Sequence, residues 1–298
     1  MAKTHYHKIP LSYESQLLQL ENRGLKISDR DKTLHLLENI SYYRLSGYWY
    51  PLLADKQNHI FKQTAEFDTA FRLYCFDRKL RQLVLGELEK IEVAVRAKMT
   101  YILSHKHGAF WFQNQNLFKS SVTHANSLTK INEEFSRSDE DFIASFKQKY
   151  TDPLPPSWII LEITSFGALS KLYKMLKPGI EKREIAHSFG LSDSVFETWL
   201  HSIVYLRNVC AHHTRLWNRA MSIRPQSPRN PHKQWLIDKN VQNNRTYFIL
   251  SMLSYLLQTV NPKSSFRDRF HSLLSEYENV DVRSMGFPAN WKAEPLWI

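Results

Sequence analysis

Cysteine is almost absent from this chain: Cys75 and Cys210 are the only two in 298 residues. Two thiols cannot build a disulfide framework or a four-thiolate zinc site, and such sparse use fits a reducing compartment. Glycine is scarce as well, at 8, beside 12 prolines. The glycine loops of nucleotide-binding α/β folds and the dense turns of small-strand β proteins therefore lack raw material. No HExxH, CxxC, GxSxG or G-x-x-x-x-G-K-[ST] signature occurs, which removes metalloprotease, α/β-hydrolase and P-loop chemistries. Long apolar runs are missing too. The longest, Tyr247 to Val260, carries two serines and a glutamine in 14 residues, short of the roughly 20 that a spanning helix needs. It is expected to be a buried core helix, and no membrane partner is expected.

What is present is an ordinary globular composition, 43% hydrophobic and 23% charged, and with so few turn formers it favours an all-α fold. Forty Lys+Arg against 29 Asp+Glu give a net charge of +11, a balance that attracts polyanions, nucleic acid foremost. The 13 histidines are scattered. The close pairs His105/His107 and His212/His213 lack the flanking thiols or carboxylates of a zinc site, so neither metal nor cofactor is expected. The N-terminus, MAKTHYHKIPLSYES, has no apolar run behind its lysines. No secretory signal or lipid anchor is therefore expected, and a cytoplasmic location is.

Apolar spacing predicts helices over 12–23 and 28–39, the second opening on Ser28 as cap with Asp31 three positions on. The block from Ser41 to Pro51 concentrates five aromatics, a composition that suits packing between helices better than a base-stacking surface. From Asp68 to about Ser104, Phe76, Leu80, Leu83, Val84, Leu88, Ile91 and Val95 recur at three and four spacing without a proline. This predicts a long central helix with a kink at Gly86. Helices are expected again over 124–136, 139–150, 157–176, 180–189, 193–212, 243–260 and 264–278, with a break at the prolines of 152–156. One domain over 1–298 is expected, with a helical preface over 1–66, a core over 67–260 and a C-terminal helix and tail over 261–298.

The arrangement that stands out is Leu206-Arg-Asn-Val-Cys-Ala-His-His213, at the end of the 193–212 helix. Its Arg-x4-His spacing alone is weak, since 18 arginines and 13 histidines in this chain predict about 0.8 chance occurrences. Arg30 and His35 do repeat it, but within the charged turn Ser28-Asp-Arg-Asp-Lys32. Arg207, by contrast, continues the stripe of Phe196, Leu200 and Ile203, while Asn208 and His212 continue a polar row with His201 and Tyr205. The apolar stripe serves either the chain's own core or a subunit interface; spacing does not choose. Histidine can move a proton near neutral pH and arginine offers a forked cation for phosphate. Such a pair suits RNA cleavage, where the 2′-hydroxyl is itself the nucleophile. The competing account pairs Arg207 with a buried carboxylate such as Glu92 or Glu162 and leaves His212 to cap the helix.

The segment Leu206-Arg-Asn-Val-Cys-Ala-His-His-Thr-Arg-Leu-Trp-Asn-Arg219 resembles the Arg-Asn-x-x-x-His motif of HEPN ribonucleases, in the form carried by Abi-like bacterial abortive infection proteins. Three further blocks look like the same family: Tyr42 to Pro51, Leu88 to Arg96, and Trp158 to Ala168. The resemblance runs from about residue 42 to 219. It implies an all-helical HEPN-like bundle, a homodimer that brings two motifs together, and metal-independent RNA cleavage in phage defence. On that analogy Arg207 and His212 are the catalytic pair and Asn208 orients them.

Charge placement points the same way. Between Arg207 and Arg245 stand Arg215, Arg219, Arg224, Arg229, Lys233 and Lys239, opposed by Asp238 alone. With Trp217 and Trp235 among them, Arg215, Arg219, Arg224, Arg229 and Lys233 are candidate RNA contacts, a solvated basic loop being the alternative. Glu92, Arg96 and His213 are auxiliary candidates. Glu92 and Arg96, four apart, form an intrahelical pair or orient the motif, with the structural role favoured, and His213 is the alternative register for the motif histidine. The expected protein is an endoribonuclease that binds RNA and needs no cofactor. Its rivals are a catalytically silent HEPN-like protein holding a structured or guide-like RNA, and a toxin controlled by a companion RNA or protein.

Overall fold

The computed structural model describes residues 5–298; the first four residues, part of the lysine-bearing N-terminus, lie outside the described residues. Among the described residues, twelve α-helices, five short 3₁₀ helices and one two-stranded hairpin make up the regular structure, so the chain is all-α in class. The chain separates into two compact units, one up to Lys79 with Leu273–Val280, the other Leu80–Ser272 with Asp281–Ile298.

The first unit holds α1 (Tyr13–Asn22), α2 (Arg30–Ile40), α3 (Tyr42–Trp49), the hairpin β1 (Leu53–Asp55) and β2 (Ile60–Phe61), and the start of α4 (Phe67–His107). The α2 cap falls one residue later than the sequence suggests. Asp29 has extended backbone and accepts from Lys32 N, so it is the cap, while Ser28 Oγ donates instead to Asp68 at 3.0 Å. The aromatic block folds as α3, with Leu45, Tyr48 and Trp49 buried at three and four spacing. Trp49 meets Tyr42 edge-on at 5.0 Å and lies 6.2 Å from Phe67. Tyr43, on the opposite face, is 88% exposed. Packing is thus the main use of this block.

In the second unit α4 continues without interruption to His107. The helix passes through Gly86 without a break, because a lone glycine weakens a helix without breaking its hydrogen bonds. Leu80, Val84, Leu88, Ile91 and Val95 are all buried, as their spacing requires. The expected helix over 157–176 is two, α7 (Ser157–Ile163) and α8 (Phe166–Met175). Thr164 turns extended between them, and Ser165 caps α8 by accepting from Ala168 N. Around these pack α5 (Ser121–Arg137), α6 (Asp141–Lys149), α9 (Ile180–His187), α10 (Asp193–Ala211), α11 (Thr246–Val260) and α12 (Phe266–Glu276), which crosses the unit boundary. The apolar run becomes α11, buried from Thr246 to Leu257. No helix among the described residues is long and apolar enough to cross a membrane.

Candidate functional site

Helix α10 packs on α8, α9 and α11. Phe196, Leu200 and Ile203 are 1% exposed, and Phe196 stacks on Phe189 at 4.8 Å and meets Tyr173 edge-on at 5.0 Å. The apolar stripe therefore serves the chain's own core. Toward the end of the helix the buried face rotates to Leu206, Val209 and Cys210, and Arg207 emerges into solvent. On the other side His201, Asn208 and His212 are exposed, with Tyr205 half-buried among them. A row of polar and ionisable groups thus faces water along α10.

The helix closes on the motif itself. His212 is the cap residue and donates its backbone N–H to Asn208 O at 3.0 Å. His213 follows with φ +56°. His213 N bonds Cys210 O at 3.1 Å and Thr214 N reaches back to Val209 O at 3.0 Å, the two bonds of a Schellman closure. Such a left-handed position ordinarily takes glycine or asparagine. This explains why the neighbouring histidines differ: His212 continues the helical row, while His213 makes the turn.

Arg207 Nη1 meets Asn208 Oδ1 at 3.5 Å, a long contact. No carboxylate among the described residues lies within ion-pairing distance of Arg207. Glu92 is engaged elsewhere, accepting from Arg96 Nη2 at 3.0 Å. Arg96, 7% exposed, also donates Nη1 to Thr164 O at 3.0 Å. The Glu92–Arg96 pair thus ties α4 to the end of α7, a structural role.

The five basic candidates divide. Arg219 turns back onto the polar row, donating Nε and Nη2 to Tyr205 Oη at 3.2 and 2.9 Å, and Nη1 to Arg215 O. Burial pushes the Tyr205 phenol up, but hydrogen bonds from Ser222 and Arg219, with the Arg219 charge, prevail and hold it below its usual value. Arg215 lies over the Trp217 ring. Arg224 is exposed. The following segment runs back along α10: Gln226 N bonds Thr198 Oγ1 at 3.0 Å and Trp199 Nε1 donates to Gln226 O at 2.8 Å. Arg229 accordingly lines a cleft of about 590 Å³ with Ser192 and Ser194, at the opposite end of α10 from the motif. Lys233 donates Nζ to Gln258 O at 3.0 Å. The basic excess is continuous in sequence but does not form one patch beside His212. Tyr205, engaged through a loop residue 14 positions away, is the site member that sequence left unpartnered. Its place three before Asn208 on the same face was the available signal, but nothing in the sequence marks Arg219 as its partner.

No group of three or more His, Cys, Asp or Glu placed to hold a metal occurs among the described residues. A family model described as Abi-like protein matches residues 35–218, more than half of the chain. That span includes Arg207, Asn208 and His212 and stops short of Arg219, Arg224, Arg229 and Lys233. No curated protein and no solved structure matches the chain.

Proposed function

The chain belongs to the Abi-like protein family, and from that premise we propose that it is an abortive-infection endoribonuclease of the HEPN type, using Arg207, Asn208 and His212 without a metal. The observation that carries the reading is an arginine held open to solvent with no carboxylate to neutralise it, bonded to Asn208 one turn before an exposed histidine. Here the free cation, an amide and a titratable imidazole share one helix end.

In the proposed step the 2′-hydroxyl of a bound RNA attacks its own phosphorus. His212 Nε2 or Nδ1 takes the hydroxyl proton, and the P–O5′ bond breaks as the imidazolium so formed returns that proton to O5′, leaving a 2′,3′-cyclic phosphate and a 5′-hydroxyl on the departing strand. The forked guanidinium of Arg207 meets the charge that builds on the non-bridging oxygens. Asn208 holds Arg207 through its side-chain oxygen. Arg219, fixed on Tyr205, extends the positive field beside the row. Each site takes its arginine from one subunit and its histidine from the other.

The test is incubation of the purified chain with end-labelled single-stranded RNA in EDTA, with analysis of the product ends. Cleavage to cyclic-phosphate ends is expected, and His212→Ala or Arg207→Ala is expected to slow it by about 10²–10⁴, with RNA affinity changed little because other basic groups supply it. Full cleavage by His212→Ala, or RNA binding without cleavage by the parent chain, overturns the assignment; the second result selects the silent RNA-binding protein.

A further inference from the structure

Helices α5 and α8 lie side by side, with Ser127 Oγ 3.8 Å from Met175 Sδ. On α5, Thr123, Asn126, Ser127 and Lys130 share a face by their three and four spacing. On α8, Lys171, Lys174 and Met175 do the same. Together with Lys119 these rows line a cleft of about 410 Å³. It belongs to a different part of the unit from the motif. A Cβ at Gly167 would meet Val204 Cγ1 at 3.9 Å, and Tyr173 packs on Phe196, so α8 runs antiparallel to α10. Lys171 and Lys174 therefore lie toward the end of α10 away from Arg207.

Four lysines and no carboxylate line this cleft. Lys119 is partly committed, donating to Lys174 O at 3.2 Å and lying 4.0 Å from Glu197. Glu197 is held more closely by the buried Lys182, at 2.7 Å. Lys130, Lys171 and Lys174 make no side-chain hydrogen bond or ion pair among the described residues. Gathering Lys130, Lys171 and Lys174 with no described carboxylate within ion-pairing distance of any of them leaves their charges to repel one another. The remaining walls are different in kind: lysine methylenes, the Thr123 methyl and the Met175 thioether, with the amide of Asn126 at hand. Unpaired ammonium groups suit phosphates as point charges, while a polarizable sulfur suits contact with an aromatic ring.

The geometry points to a binding site for a nucleoside polyphosphate, with the phosphates on Lys130, Lys171 and Lys174 and the base against Met175 within reach of Asn126. A cleft of this size is in the range used for small ligands, and is larger than a bare phosphate requires. The site stands independently of the ribonuclease reading, since it uses none of the residues of that site.

Titration calorimetry of the full chain with ATP, GTP, tripolyphosphate, adenosine and a 2′-O-methyl oligonucleotide tests it. A nucleoside triphosphate is expected to bind, adenosine is not, and Lys171→Gln/Lys174→Gln is expected to weaken triphosphate binding by about tenfold or more. Both lysines are exposed, and circular dichroism confirms that the double variant remains folded. Met175→Ala is expected to weaken the nucleotide about threefold and leave tripolyphosphate unaffected, and His212→Ala to leave both unaffected. Absence of nucleotide binding, binding indifferent to the lysine variant, or tripolyphosphate bound as tightly as the nucleotide overturns the proposal. So does an oligonucleotide that binds through these lysines where mononucleotides do not.

Discussion

At His213 the chain adopts a left-handed conformation, φ +56°, to close α10. The two backbone bonds that depend on it, from His213 and Thr214 to Cys210 and Val209, place His212 at the helix end. Left-handed backbone costs a side chain with a Cβ about 1–2 kcal/mol, and a β-branched one more. Among variants that all lack the imidazole, stability is therefore expected to fall in the order His213→Gly, His213→Ala, His213→Val, with about 1 kcal/mol between the first two. Thermal unfolding measures the order. A valine variant as stable as the glycine one would show that the turn is not strained. This residue-scale difference was illegible in the sequence, where His212 and His213 are adjacent and chemically identical, and only the helix phase separates them.

Among the elements, α4 and α10 were legible because their apolar positions recur over many turns, so one weak position such as Gly86 does not change the pattern. The break between α7 and α8 was not legible. Thr164 and Ser165 are tolerable inside a helix by propensity; Ser165 instead caps α8, and the Thr164 carbonyl is taken by Arg96, 68 positions away, at 3.0 Å. The Glu92–Arg96 spacing was readable, but its tie to α7 was not. Removing Arg96 strands both the Thr164 carbonyl and Glu92, whose side chain is 20% exposed. Arg96→Ala is expected to cost about 2–3 kcal/mol, the partial exposure of Glu92 keeping it below a fully buried pair. Glu92→Gln retains an acceptor and is expected to cost less than about 1 kcal/mol. Melting temperature and the cleavage rate of the folded fraction separate the roles: a normal melt with slow cleavage for Glu92→Gln would contradict the structural assignment.

For the whole molecule, the buried tyrosines govern its response to alkali. Burial pushes the phenols of Tyr173, Tyr247 and Tyr255 above their usual 10. Above about pH 10 the unfolded chain releases these protons while the folded chain keeps them, so stability falls by about 1.4 kcal/mol per pH unit for each tyrosine. Lys182 acts in the opposite sense, because burial lowers its pKa despite Glu197. Just below 10.5 the unfolded chain holds that proton and the folded chain has released it, so stability rises with pH in that window and the effect adds no slope above it. Cooperative loss of helix with simultaneous tyrosinate absorbance is expected once the pH exceeds about 10.5. Tyrosinate formation complete before any loss of helix would refute the assignment.

Arg207 and His212, five residues apart, diverge by about 140° on a helix, and no side-chain contact joins them. Phe196, Leu200 and Ile203 are spent on the core, so on the proposed reading two copies meet through the solvent-facing row of His201, Asn208 and His212, antiparallel about a two-fold axis. One site then takes its arginine from one subunit and its histidine from the other. When inactive Arg207→Ala and His212→Ala chains are mixed in equal amounts and allowed to exchange, half of the dimers are mixed. Each mixed dimer rebuilds one of its two sites, so about a quarter of the parental activity is expected. Sedimentation must show the parental chain to be dimeric under the assay conditions. No recovery from a demonstrated mixed dimer would place the working pair within one chain, as would full activity from a monomer; in either case the closing turn at His213 would have to move His212 toward Arg207.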